Sequence, residues 1–167
     1  MRQETKRRLE FPERIYTTEE HKKAKELIGK GYKHRLAVDG SLEFRQKVYR
    51  VLELVKIAGY YELLRTYIRQ IIEIDGITQL RETEAAIWAN KFTVENPVDA
   101  ASLLIQKTYI MKQYIDGEVY YGGSSEKQSV EKRMEFLETL KAKSQETEVR
   151  DECERLLQMW KESSLAY

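Results

Sequence analysis

Cysteine occurs once, at position 153, so no internal disulfide can form. Together with the two histidines, His21 and His34, it is too widely spread for a familiar tetrahedral zinc site. Only Pro12 and Pro97 interrupt the backbone's supply of N–H donors. No apolar run approaches the roughly 18 residues of a membrane span, and no charged-then-apolar leader is present. The expectation is a soluble cytoplasmic protein with no role in a membrane. Gly29-Lys30-Gly31 lacks the rest of either phosphate-binding glycine fingerprint. The absence of G-x-S-x-G, H-E-x-x-H and Glu-x-x-His pairs removes common hydrolases, zinc peptidases and di-iron bundles. No cofactor and no metal is expected. Charge of one sign is missing too: 29 Lys and Arg stand against 28 Asp and Glu, leaving no global field to attract a polyanion.

What the sequence does have is charge in abundance, 34% of residues, and enough length to bury a core without staples. Many Lys, Arg and Glu with few Asn and one Cys would suit a thermophile. The one local polarity is amino-terminal: residues 1–36 carry eleven Lys/Arg and six Asp/Glu, a balance of 11 − 6 = +5.

Helical signals dominate. Thr17 with Glu20 three residues later has the spacing of a capping box, and the helix it opens should stop near Gly29 or Gly31. Residues 32–38 then alternate Tyr32, His34, Leu36, Val38, the period of a half-buried strand. Ser41 can cap a helix whose stripe runs from Phe44 to Ala58, with Gly59 as the stop. Tyr60, Leu63, Leu64, Tyr67, Ile68, Ile71 and Ile72 make the strongest helical stripe in the chain, predicting one helix over 60–74. A shorter helix over 78–90, capped by Thr78, follows. Asn96, Pro97 and Asp99 then announce a helix over 97–115, apolar around most of its circumference and therefore central. Only Ser102, Gln106 and Gln113 form a polar edge on it.

Residues 118–121 read as a short strand, an optional partner for 32–38. The Gly-Gly-Ser-Ser-Glu stretch at 122–126 reads as a linker to two narrow-striped helices around 130–140 and 149–160. The expected fold is all-α: about six helices, an optional two-stranded patch, and a carboxy-terminal helical hairpin. The expected division is a core domain at 1–123, with 1–16 extended or poorly ordered, and a hairpin at 124–167. Two stretches, 63–76 and 103–117, share Leu-Leu, Thr-Tyr-Ile and Ile-Asp-Gly, but their spacings disagree, so they are not a repeat.

Candidate chemistry centres on Glu84. On a helical wheel it falls within the stripe of Ile77, Leu80, Ile87 and Trp88, where an unpaired carboxylate costs several kcal/mol or becomes neutral. An arginine partner is therefore expected: Arg81 one turn back, or Arg65 or Arg69 across from the preceding helix. Glu73 and Asp75, at the carboxyl end of the 60–74 helix, would join Glu82 and Glu84 in an acidic elbow. With His34 nearby, this is the candidate pocket of an enzyme or ligand-binding protein. His34 on the apolar phase of its strand is more simply a core residue.

Eleven tyrosines are more than usual, and Tyr60-Tyr61 and Tyr120-Tyr121 sit beside glycines as candidate interface pairs. Residues 22–35 form a basic segment (Lys22, Lys23, Lys25, Lys30, Lys33, Arg35), with Tyr32 available to stack a base. Three functions are therefore expected, in this order. The first is a non-catalytic binding or assembly protein with a protein partner, or another copy of itself. The second is an enzyme or ligand-binding protein using the acidic pocket. Last comes weak nucleic-acid binding through 22–35.

Overall fold

A computed structural model describes residues 10–165, with side chains through residue 163. The reading of residues 1–16 as extended or poorly ordered therefore falls partly on residues 1–9, outside the described residues. Three helices begin where their caps predicted. In α1 (Thr18–Gly29) Thr17 Oγ1 accepts from the Glu20 N–H at 3.1 Å, and Glu20 returns an acceptor to the Thr17 N–H at 2.8 Å. Ser41 caps α2 (Leu42–Ala58), which ends on left-handed Gly59. Asn96 and Pro97 open α4 (Pro97–Asp116), which ends on left-handed Gly117.

The all-α expectation is overturned by a four-stranded mixed sheet. The helix predicted over 60–74 is only α3 (Tyr61–Tyr67); the chain then extends as β2 (Gln70–Ile74). No helix spans 78–90. That segment is β3 (Gln79–Arg81), a single 3-10 turn at Glu82–Glu84, and β4 (Ala86–Asn90). β-branched side chains are stiff in helices and fit a pleated surface, so the Ile-rich run after Ile68 takes the strand once a partner is beside it. Ala85, at φ 53°, reverses the backbone between the turn and β4, which no helix permits. The amino-terminal strand is shorter than its alternation suggested, β1 (Ala37–Asp39), and it pairs with β2 rather than with 118–121, which forms no strand.

The strands lie in the order β1-β2-β4-β3. β1 and β4 both run parallel to β2, and β3 is antiparallel to β4. Because β4 enters between β2 and β3, the 75–78 loop must pass over its end. Asn90 fastens that loop: its amide donates to the carbonyls of Asp75 (3.0 Å) and Gly76 (2.8 Å). Thr78 Oγ1 in turn accepts from the Asn90 N–H at 2.9 Å.

Strand residues alternate between faces. Ile71, Leu80, Ile87 and Ala89 are buried, and Ile71, Ile87 and Ala89 meet Val48 and Val51 of α2 and Ala100 and Leu104 of α4. The register puts Asp39, Gln70, Ile72, Ile74, Trp88 and Arg81 on the opposite face. Ile72, Ile74 and Trp88 lie outside the core cluster. All the other helices gather around α4 instead.

The polar edge of α4 is where α5 (Gly123–Lys143) docks. The Gly-Gly-Ser-Ser-Glu stretch is the start of this helix, not a linker, with Gly122 as its cap. Arg133, 6% exposed, donates to Ser102 Oγ (2.9 Å), Gln106 Oε1 (2.9 Å) and Asp99 Oδ1 (2.7 Å), and its guanidinium lies over the Trp160 ring. A buried guanidinium is tolerable only with its donors satisfied, and this one is tied to three α4 side chains. Phe136, Leu137 and Leu140 of α5 and Val149, Cys153, Leu156 and Leu157 of α6 (Thr147–Leu165) join the same core cluster as the sheet.

Two outcomes are expected. Arg133→Ala should cost about 2–3 kcal/mol by urea denaturation, less than the ~3–5 kcal/mol of a fully buried pair because Asp99 keeps contact with water. Deleting residues 124–167 should abolish the cooperative unfolding transition, since it uncovers the α4 flank beneath Phe136, Leu137 and Leu140; a soluble, cooperatively folding 1–123 fragment would instead establish the two-part division.

Candidate functional site

The carboxyl edge of β1, β2 and β4 is the usual place for a crevice in an open sheet with parallel strands. A cleft of about 430 Å³ lies there, lined by Glu43, Lys47, Glu73, Asp75, Lys91 and Glu95 among others. Its groups are largely committed to one another. Glu73 Oε1 accepts from the Ser41 N–H at 2.9 Å, so the protein's own carboxylate sits at the start of α2, where an anionic ligand would otherwise bind. Lys47 pairs with Glu43 (3.1 Å) and Glu95 (3.5 Å), and Lys91 lies over the Phe92 ring. Gly40 allows the close approach: a Cβ there would come within 2.7 Å of both Glu73 Cβ and Phe44 Cδ1.

The acidic elbow does not assemble as one pocket. Glu73 and Asp75 stand at this carboxyl edge, whereas Glu82 and Glu84 occupy the turn before β4, at the opposite edge. Four residues of β4 separate the two edges, roughly 13 Å at ~3.3 Å per residue. Glu73 is thus a strand residue and Asp75 a loop residue, and neither faces the carboxyl end of a helix. Glu84 is partly buried, but the arginine partner expected for it is absent among the described residues. Arg81 lies over the Trp88 ring at 4.3 Å, Arg65 pairs with Glu62 at 3.3 Å, and Arg69 donates to the carbonyls of Pro12 and Glu13. Among the described residues no group of three His, Cys, Asp or Glu side chains could hold a metal ion.

His34 shares the amino-terminal edge with Glu82 and Glu84 but sits among cations and rings. It is 2% exposed, packed edge-on against Phe11 and Tyr32, and it exchanges backbone contacts with Arg65. Burial first, then Arg69 and Arg65, push its pKa down to about 4, and its Nε2 has no hydrogen-bond partner. It is a neutral core imidazole. Cys153 is equally inert: burial raises its thiol to about 11.

The tyrosine pairs divide. Tyr60 lies edge-on to Phe136 and Tyr120 edge-on to Tyr114, whereas Tyr61 is flanked by Lys56 and Arg65 and Tyr121 is 70% exposed. In the basic segment Tyr32 is already stacked on Phe11 at 5.2 Å, Lys30 pairs with Glu26, and Lys33 donates to Thr66. One face of the Tyr32 ring is thus taken by Phe11, with His34 edge-on to the ring.

The surface that composition and motifs left unmarked is the sheet face opposite the helices, where Ile72, Ile74 and Trp88 are half-buried. Trp88 and its Arg81 neighbour stand beside Ile72 and Ile74. Asp39 and Gln70 border it on the β1 side, hydrogen-bonded to each other. No helix of the described residues is long and apolar enough to cross a membrane. No protein-family model matches the chain, and neither a curated protein nor a solved structure matches it with significance.

The His34 environment sets a pH dependence. A folded-state pKa depressed from 6.5 to about 4 means that the unfolded chain binds the proton first. Stability from this group is therefore complete above pH ~6.5 and lost as pH falls toward ~4, a loss of up to about 3 kcal/mol. His34→Phe should flatten that part of the stability–pH curve, measured by urea denaturation at a series of pH values; an unchanged slope would mean that other groups set it.

Proposed function

We propose that this chain is a non-catalytic binding or assembly protein, acting through protein–protein contacts on the sheet face opposite its helical core. One observation carries the reading. Two of the three strand pairings are parallel, yet among the described residues the helices pack on one face, and Ile72, Ile74 and Trp88 stay half-buried on the other. Sheets dominated by parallel pairing ordinarily have both faces covered. The residues on that face fit the role: a tryptophan and an arginine are the side chains most often found at the energetic centre of protein interfaces, and two isoleucines supply apolar area beside them. The second expected function, a ligand pocket, is supported less well. Its carboxylates lie at two opposite edges, and the cleft at the carboxyl edge is largely satisfied by its own ion pairs.

If the face is an interface and not a packing surface, Ile74→Lys should change unfolding free energy by no more than about 0.5 kcal/mol, the usual range for surface sites. A photocrosslinking residue at position 74, introduced into the chain in its native cells, should give protein adducts absent when it is placed at exposed Glu138. Adduct yields equal at the two positions would remove the reading.

A further inference from the structure

We infer that residues 10–16 are an exchangeable arm, and that the groove beneath them is a peptide-binding site that also accepts the arm of a second copy of this chain. The inference concerns the amino-terminal edge of the sheet and does not depend on the face that carries Trp88. The arm forms no helix or strand. It is held by two anchors four residues apart, Phe11 and the fully buried Ile15, while Glu13, Arg14 and Tyr16 are exposed. Phe11 stacks on Tyr32, meets His34 edge-on at 4.5 Å, and has the Arg69 guanidinium 5.4 Å from its ring centre.

Between the anchors the groove reads main chain. Arg69 donates to the carbonyls of Pro12 and Glu13, the latter at 3.0 Å, and Tyr114 Oη donates to the Ile15 carbonyl. The Ile15 N–H donates to the Thr83 carbonyl at 2.8 Å. Side-chain pockets with main-chain hydrogen bonds between them are how peptide grooves combine specificity with affinity. The ligand class is therefore a peptide of the pattern aromatic-Pro-x-x-aliphatic. The walls do not need the arm to hold their places. The Tyr32 N–H donates to the Leu27 carbonyl at 3.0 Å, and His34 and Arg65 exchange two hydrogen bonds at 2.8 Å. The Arg69 N–H donates to the Ala85 carbonyl at 2.7 Å, and Tyr114 belongs to α4. Lifting the arm takes these acceptors from a half-buried guanidinium, so the empty groove calls for an occupant.

A second copy supplies that occupant with no new chemistry, because every groove contact made in trans is one already made in cis. The arm can swing without unwinding α1, whose start is fixed by the Thr17–Glu20 capping box. The hinge is Tyr16, 76% exposed, which gives up one hydrogen bond from its N–H to Glu20 Oε1 at 3.1 Å. Reciprocal exchange fills both grooves and closes at two copies. The tether holds each arm near its own groove at an effective concentration on the order of 1 mM, so exchange becomes measurable as the chain approaches that concentration.

Sedimentation velocity of the purified full chain from about 10 µM to about 1 mM tests this through concentration dependence. The expected result is a dimer holding a few per cent of the chain at the low end and roughly half of it at the high end. Phe11→Ala and Ile15→Ala should each weaken dimerisation about tenfold or more, since each removes one anchor from both grooves. A synthetic peptide of residues 10–16 in about tenfold excess should at least halve the dimer fraction, and the same peptide with both anchors changed to Ala should not. Circular dichroism confirms that each variant is folded; should either fail to fold, the peptide competition on the native chain decides without it. A chain that stays monomeric throughout, or a dimer that neither the substitutions nor the peptide weakens, overturns the exchange.

Discussion

A helix that is apolar around most of its circumference has to be enclosed, and α4 imposes that condition on everything else. Each of the other five helices among the described residues touches it. Its apolar flanks take α2 and the inner face of the sheet, and its narrow polar edge takes α5 through Arg133. Helices drawn around one axis are not available to cover a sheet lying on one side of that axis. The half-buried sheet face is thus the counterpart, among the described residues, of a well-buried central helix, and the proposed function rests on how the described helices are distributed rather than on any motif.

The parts of the fold that depend on short-range chemistry were legible. Thr17 with Glu20, Ser41, and Asn96-Pro97-Asp99 each marked a helix start, because a cap satisfies orphan N–H groups within three residues. The strands were not, because they are short apolar runs whose partners lie elsewhere in the chain. Gln70–Ile74 and Ala86–Asn90 are five residues each, and a wheel can be drawn through either. Thr66-Tyr67-Ile68 and Thr108-Tyr109-Ile110 make the point sharply. The first triplet leaves a helix for a strand, and the second lies in the middle of α4. What differs is the sequel: β-branched Ile71, Ile72 and Ile74 after one, Met111, Lys112 and Gln113 after the other.

The candidate carboxylates were drawn together for the same reason. Glu84 was assigned an arginine partner on the premise of a helix; it is partly buried, but in a 3-10 turn that Arg81 precedes, and among the described residues no arginine pairs with it. Glu73 was read as one member of an acidic elbow, whereas its carboxylate accepts from the backbone N–H of Ser41, a contact that no side-chain pattern encodes. His34 was legible as a core residue from strand alternation alone, even though it falls before β1 begins. Arg81 and Trp88 were both in view, seven positions apart, and became neighbours only through the β3–β4 register.

The loop that Asn90 fastens has a consequence for how the sheet can be put together. β3 contacts no strand except β4, and β4 occupies the space between two strands that precede it in the chain. Growth of the sheet by addition of each new strand at a free edge is therefore impossible beyond β2. The last strand has to thread a gap whose sides are already synthesised, and it secures both at once. During translation β2 and β3 remain apart until residue 90 has emerged, and after six more residues begins α4, the cover for the apolar side of the newly joined strands. Chain order thus brings closure of the sheet and its shelter from water within one short stretch of synthesis, when exposed strand edges are most prone to pair wrongly.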